Sequence, residues 1–284
     1  MRDDFCVFIL THGRPDRVDT VASLQKAGYR GKVYIVIDDE DETRAEYERR
    51  YGSQVIVFDK RKYEDRFDIG DNFGHRRGVI YARNACWDLA AEVGCKYFMQ
   101  LDDDYNYWHY RHDRDGYMCI NITCTFHEML DALIEFFEVS GALTVAMSQG
   151  GDHIGGANAS GNKNLKVKRK AMNSFICSVD RPFTFFGRIN EDTNTYTEMA
   201  RRGGLFLTMM PTMLVQRNTQ TNSGGMTGLY LEFGTYLKSF YSVMYAPSAV
   251  KISTLGRGSF TRIHHEVATN NACPKIMHER HRRL

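Results

Sequence analysis

The stretch Lys96-Tyr97-Phe98-Met99-Gln100-Leu101-Asp102-Asp103-Asp104 constrains this chain more than any other. Gly94 bounds it upstream, and Tyr97 to Leu101 have the length and residue types of a short buried strand. That strand runs straight into three carboxylates. In an extended backbone alternate side chains share a face, so Asp102 and Asp104 are expected to converge while Asp103 points away. Two acidic side chains at a strand end repel each other unless a cation lies between them. Oxygen ligands of this kind suit Mg²⁺ or Mn²⁺, which commonly share their shell with substrate phosphates. The alternative is a solvated acidic turn that caps the next element. An apolar strand leading in, and a helix–strand series before it, favour the metal.

That series begins at the N-terminus. Phe5 to Leu10 is an apolar run of strand length, ended by Thr11-His12-Gly13-Arg14-Pro15. Pro15 suits a first helical position, and Val18, Val21, Ala22 and Gln25 follow with helical spacing. Val33 to Ile37 reads as a second strand closed by Asp38-Asp39-Glu40-Asp41, Glu42 to Tyr51 as a charged helix, and Gln54 to Phe58 as a third strand. The alternation predicts a parallel sheet with helices on its faces, whose ligands sit beyond the carboxyl ends of the strands. Thr11, His12, Arg14, Asp38, Asp39 and the Asp102–Asp104 triplet all fall at those ends, which makes them donor-binding candidates together. No G-x-G-x-x-G follows the first strand. Gly156 to Gly161 approaches a P-loop, but Asn162 stands where Lys is needed, so both nucleotide-binding fingerprints are excluded.

Asp59 to Phe73 is polar and reads as a loop; Val79 to Val93 is an amphipathic helix. Arg76, Arg77 and Arg83 at its start could neutralise a diphosphate, because guanidinium forks match phosphate oxygens. Solvated arginines on a helix are the alternative. Tyr105 to Asn121 is a hairpin candidate around Asp115-Gly116, Phe126 to Val139 a helix, and Leu143 to Ser148 a strand. Gln149 to Asn164 is rich in Gly, Asn and Ser, as active-site loops are. Lys166, Lys168, Arg169 and Lys170 form the densest basic run, either a solvated strand edge or a phosphate-tracking patch. An aromatic strand over Phe183 to Phe186 is expected before Asn190-Glu191-Asp192, followed by a helix from Thr195 to Arg202. Glu191 and Asp192 could merely complement that helix's dipole. A later helix spans Leu229 to Tyr241, and His264-His265 follows a strand-like Gly258 to Ile263.

Bulk properties decide three points. With 284 residues and 43% hydrophobic content, the chain can bury one large core or two abutting halves. The divisions expected are residues 1–104, residues 105–270 and a basic tail at 271–284. Lys and Arg total 37 against 35 acidic residues, so any nucleic-acid contact must come from a local patch. Seven scattered cysteines without a C-x-x-C pair argue for reduced thiols and a cytoplasmic setting. No apolar stretch is long enough to span a bilayer, and the first residues do not read as a signal peptide.

The aspartate triplet resembles the Asp-x-Asp signature of GT-A glycosyltransferases, in which a metal holds the diphosphate of a nucleotide-sugar. With it go THGRP after strand one, the strand ending VIDDED, the RNACWDLAAEVGCKYFMQLDDD block, and INEDTNT ahead of GGLFLTMMPTM. In element order, over roughly residues 5 to 270, these are similar to the phage TET-associated glycosyltransferases, which attach sugars to hydroxymethylated pyrimidines in DNA, hydroxymethylcytosine among them. The resemblance implies a GT-A-like, Rossmann-type mixed sheet flanked by helices, in one domain with a donor and an acceptor half. It implies a metal (Mn²⁺ or Mg²⁺) on Asp102 and Asp104, a UDP-linked sugar as donor, and the nucleoside against Asp39. Asp192 would meet the acceptor hydroxyl as base, with Glu191 as the second choice. Several GT-A enzymes take a late His as metal ligand, which gives His264 and His265 a claim. A GT-A enzyme acting on polysaccharide or protein, and a catalytically silent nucleotide- or DNA-binding domain, are the competing expectations.

Overall fold

The computed structural model describes residues 2–159, 167–216, 227–256, 261–273 and 278–279. Nine strands form one sheet. Its first part alternates as expected: β1 (Phe5–Leu10), α1 (Asp19–Lys26), β2 (Lys32–Asp38), α2 (Arg44–Tyr51), β3 (Val55–Phe58), α3 (Ile80–Glu92) and β4 (Tyr97–Asp102). Each crossover returns the chain to the same sheet edge, so β3, β2, β1 and β4 lie side by side and parallel. All six residues of β1 are buried, because helices cover both faces of a central parallel strand.

The later strands are mixed. The hairpin β5 (Tyr105–His112) and β6 (Tyr117–Asn121), the helix α4 (Phe126–Ser140) and the strands β7 (Thr144–Gln149) and β8 (Ser174–Ser178) come next. They are followed by α5 (Glu191–Arg201) and β9 (Phe206–Gln216). The sheet order is β3-β2-β1-β4-β8-β7-β9-β5-β6, with β8 antiparallel to both its neighbours and β9 parallel to β7. This is the mixed sheet flanked by helices that the sequence leads one to expect. β9 carries Pro211 where its register against β7 slips, the position at which a sheet tolerates a missing donor.

Alternate residues of the strands build two cores. Val7, Ile9, Ile35, Met99 and Leu101 face α1 and α4, where Leu24, Phe126, Leu130, Ile134 and Phe137 are buried. Cys6, Phe8, Val36 and Phe98 face α3 and pack on Trp87 and a ring cluster of Phe175, Phe183, Phe185 and Phe206. Gly141 ends α4 in the left-handed conformation (φ 64°), which satisfies a helix C-terminus without a Cβ clash. The chain closes with α6 (Thr227–Tyr245), the hairpin β10 (Val250–Leu255) and β11 (Arg262–Val267), and α7 (Thr269–Ala272), which pack beside α5.

Three expectations are corrected. Phe183 to Phe186 is not a strand: Phe183 and Phe185 point their rings into the Trp87 cluster instead of pairing in the ladder. Helix α5 starts at Glu191 instead of Thr195, so Glu191 and Asp192 lie in its first turn. His264 and His265 are inside β11 instead of following a strand. Lys166 and the tail residues Lys275, Arg280, Arg282 and Arg283 lie outside the described residues. No described helix is long and apolar enough to cross a membrane.

Candidate active site at the strand ends

The aspartate triplet does not continue the strand. Asp102 ends β4, and Asp103 and Asp104 form a turn. The first turn of α1 holds it there. Thr20 donates its N–H to the Asp103 carbonyl (3.2 Å) and its hydroxyl to the Asp102 carbonyl (2.6 Å), and accepts the Tyr105 N–H (3.0 Å). The strand alternation therefore stops at Asp102, and Asp103 does not point away. Its carboxylate is 2% exposed, accepts the Thr11 hydroxyl (2.5 Å) and pairs with Arg14 Nη2 (3.0 Å). Tyr47 on α2 braces this corner, its hydroxyl 2.9 Å from Thr11 Oγ1 and accepting the Arg14 N–H at 2.9 Å. Burial pushes the Asp103 carboxyl up to about 6 against the pull of Arg14. Burial, and then the neighbouring Asp102 and Asp103, push Asp104 up to about 7. Asp104 makes no ion pair among the described residues.

One strand away, the end of β2 carries a contrasting carboxylate. Asp38 lies 2.9 Å from the ammonium of buried Lys60 and 2.9 Å from His12 Nδ1. Burial alone would raise its pKa, but the His12 and Lys60 contacts outweigh that and hold it below the ordinary carboxylate range. The bond to Asp38 in turn raises His12. Asp39 is exposed and accepts the Lys60 N–H (2.9 Å). Asp41, also buried, accepts the Gly13 N–H (2.8 Å), which joins the turn after β1 to the turn after β2.

The three arginines separate. Arg76 is engaged by Glu40 (2.6 Å) and Glu64 (3.2 Å). Arg77 is exposed, with its carbonyl accepting from Arg188 (2.5 Å). Arg83 is not solvated: its side chain is 2% exposed and binds Asp102 (2.8 Å) and Glu191 (2.7 Å). Both acids at the start of α5 are buried. Burial pushes Glu191 up to about 7, with Arg83 opposing and Asp192 adding to the rise. Burial also raises Asp192, against Arg83, the Thr193 N–H it accepts (2.6 Å) and Lys238.

The entrance to α5 is fixed by long-range bonds. Arg188 makes a two-pronged pair with Asp71 (2.8 and 2.9 Å), which Tyr241 also bonds. Gly187 has φ 77°, and a Cβ there would collide with Asn194 and Tyr245. Asn190 takes the left-handed conformation (φ 56°), and its amide donates to the Lys238 carbonyl (2.6 Å) and meets Ser242 Oγ (3.1 Å) and His265 Nδ1 (3.3 Å). The His264 and His265 rings stack at 4.4 Å, and burial lowers His265 to about 4. Among the described residues no group of three or more His, Cys, Asp or Glu is arranged to hold a metal ion, so the histidine pair does not join Asp102 and Asp104 in a protein-only cluster. Thr20, Tyr47 and Lys60 are partners that sequence reasoning missed; nothing in their spacing marks them.

The basic run before β8 is only partly available to a polyanion. Lys168 and Lys170 both pair with buried Asp152, at 3.0 and 2.5 Å. Asp152 also accepts the Gln149 N–H (3.0 Å), so the two lysines help fix the glycine-rich segment after β7.

This chain belongs to the TET-associated glycosyltransferases, whose family model matches residues 5–225. No curated protein matches it. Among solved structures it is similar to S. aureus TarS 1–349 in complex with UDP, at 12% identity and a TM-score of 0.41, covering 75% of this chain and 60% of that one. The complex of the same fragment with UDP-GlcNAc gives 12% identity and 0.41, with coverage of 84% and 66%. A putative nucleotide-diphospho-sugar transferase from Desulfovibrio desulfuricans G20 gives 11% identity and 0.40, with coverage of 85% and 99%. The chain thus spans less than two thirds of the TarS fragment in the first comparison.

Proposed function

We propose that this glycosyltransferase moves a sugar from a nucleoside diphosphate sugar, with uridine as the base, to the hydroxyl of a hydroxymethylated pyrimidine in DNA. Family membership supports both the sugar transfer and the DNA acceptor, and UDP-linked sugars are the first donors to try. The observation that carries the reading is the surplus of carboxylate at the end of β4. Asp104 is pushed up to about 7 by burial and acidic neighbours and has no ion-pair partner among the described residues. Asp102 has one oxygen on Arg83 while its side chain remains 30% exposed. Two such oxygen donors fit Mg²⁺ or Mn²⁺, whose remaining positions suit diphosphate oxygens and water.

In this reading Asp102 and Asp104 hold the cation, which when bound stabilises charge developing on the leaving diphosphate. Thr11, Arg14 and Asp39 line the donor at the strand ends. Arg14, already against Asp103, adds positive charge on the same edge. The acceptor oxygen bonds to the anomeric carbon as the bond to diphosphate breaks. Asp192, buried and without an ion-pair partner among the described residues, takes the hydroxyl proton. Burial raises its pKa above the ordinary carboxylate value, which makes it a stronger base than a solvated aspartate. A pyrimidine stacked in a duplex cannot reach Asp192, so the base must be flipped out or presented single-stranded. Mass spectrometry of nucleosides tests this, after incubating the enzyme with hydroxymethylated DNA, Mn²⁺ and a panel of nucleotide-sugars. A hexose adduct on the modified pyrimidine is expected. Sugar on an oligosaccharide and none on any modified DNA overturns the acceptor assignment.

A further inference from the structure

Arg83 is a cation with no route to solvent. It sits in the first turns of α3, 2% exposed, with its guanidinium 5.0 and 5.8 Å from the rings of Phe175 and Phe185. One prong, Nη2, donates to Asp102 Oδ1 (2.8 Å) and the Nε–H donates to Glu191 Oε1 (2.7 Å). The third nitrogen, Nη1, is buried and has no hydrogen-bond partner among the described residues. A pair formed only for stability would match one cation to one anion and satisfy every donor. Here one planar fork is shared between two carboxylates from distant elements, and one of its three nitrogens is left open.

The placement of those carboxylates gives the arrangement its meaning. Asp102 ends β4 on the donor side, and its side chain is 30% exposed. Glu191 opens α5 and precedes Asp192 directly. The guanidinium lies against two aromatic rings and bonds both carboxylates at once, so a displacement of Asp102 is passed to the first turn of α5. Glu191, held by Arg83, is then not the group that receives the acceptor proton.

We propose that Arg83 is a positioning residue that fixes the donor carboxylate Asp102 and the acceptor helix α5 in one register, and so sets the distance between the donor and Asp192. This rests on the roles given above to Asp102 and Asp192. Lysine keeps the charge but reaches only one partner at a time, and a misplacement near 1 Å costs about 100-fold in rate. Arg83→Lys is therefore expected to lower kcat by about 100-fold, with the KM for donor within about threefold. The double variant Arg83→Met with Glu191→Met removes both buried charges, a change that commonly leaves stability intact. It is expected to keep the parental Tm while turnover stays low.

The readout is nucleoside diphosphate release, with whichever acceptor the parent uses or with water, at saturating Mn²⁺. A parent silent on modified DNA overturns the acceptor proposed above and leaves this test standing on the other acceptor or on water. Parental turnover in Arg83→Lys, or in the double variant, overturns the positioning role and makes the bridge a matter of stability alone.

Discussion

Asp38 ends one of the two strands that flank β1 and Asp104 lies just past the end of the other, and the protein treats them in opposite ways. Asp38 receives Lys60 and His12 and is held below the ordinary carboxylate range, even though it is buried. Asp104 receives neither, and burial with two acidic neighbours lifts it to about 7. The imbalance extends across the site: Asp102, Asp103, Asp104, Glu191 and Asp192 share only Arg14 and Arg83 as ion-pair partners among the described residues. Burial alone does not set the state of a carboxylate; the supply of countercharge does. The end of β2 is electrostatically complete. The end of β4 and the start of α5 carry more carboxylate than paired cation, the imbalance that the proposed donor and cation would meet.

The strongest test of that contrast removes the surplus. Asp104→Asn and Asp102→Asn are each expected to cut turnover by about 100-fold or more, the scale of losing one preorganised electrostatic group. Asp104→Asn should leave Tm unchanged or raised. Chelation of divalent cation should silence the parent reversibly. Full turnover in chelator would place the Asp104 carboxylate outside the reaction.

Next in size is the acceptor side. Asp192→Asn is expected to lower kcat by about 100-fold, within the range of a general base. Donor affinity, measured by calorimetric titration of UDP with Mn²⁺, should change by less than about twofold, because the missing interaction belongs to the transition state. An equal loss of donor affinity would move Asp192 to the donor side and erase the division between the two regions.

How much of this contrast is legible in the sequence follows from what is local. β1, β2, β4, α3 and α4 announce themselves by apolar runs and spacing, and the Asp113-Arg114-Asp115-Gly116 turn joins β5 to β6 where Asp-Gly predicts it. The strand-end cluster of Thr11, Arg14, Asp38 and Asp102 follows from β–α alternation alone. The countercharges do not. Lys60 meets Asp38 across α2 and β3, and Arg83 meets Glu191 across 108 residues of chain. No periodicity encodes such a pair. The extended geometry expected for the triplet fails for a similar reason: Thr20, from another element, bends the chain at Asp103. The aromatic run at Phe183 to Phe186 has strand composition, but its rings fill a gap beside Trp87 and leave its backbone out of the ladder.

A third prediction separates the two carboxylates by pH. Asp104 binds its proton more tightly folded than unfolded, so the stability it lends is complete below about pH 4 and is lost as pH rises through about 7. Asp38 has the opposite sign: its contribution is present above the ordinary carboxylate range and lost as pH falls below it. Without divalent cation, Tm is therefore expected to decline between about pH 4 and 7. Asp104→Asn should flatten that decline, and Asp38→Asn should not. Saturating Mn²⁺ should remove it in the parent, because the cation supplies the missing charge. A decline unaffected by Asp104→Asn would assign the surplus to Asp103, Glu191 or Asp192, which are also raised.

The smallest expected effect on function concerns the lysines before β8, where countercharge is again present and the sequence suggests a DNA grip. Lys168 and Lys170 bracket one buried carboxylate, Asp152, which has no other ion pair among the described residues. Their side chains are 31% and 26% exposed, so they are oriented inward more than a pair tracking phosphates would be. Removing one lysine–phosphate interaction flattens the dependence of log affinity on log salt by about 0.7 to 0.9. Lys168→Ala with Lys170→Ala is expected to move that slope by less than one such step. The same double variant leaves Asp152 buried without its cations, which costs about 3 kcal/mol on the scale of broken buried pairs, and frees the segment from Gln149 to His153. Binding of modified single-stranded DNA, titrated across a salt series, distinguishes the two roles. A slope reduced by two full steps at unchanged Tm would make these lysines part of the DNA interface and Asp152 only their neighbour.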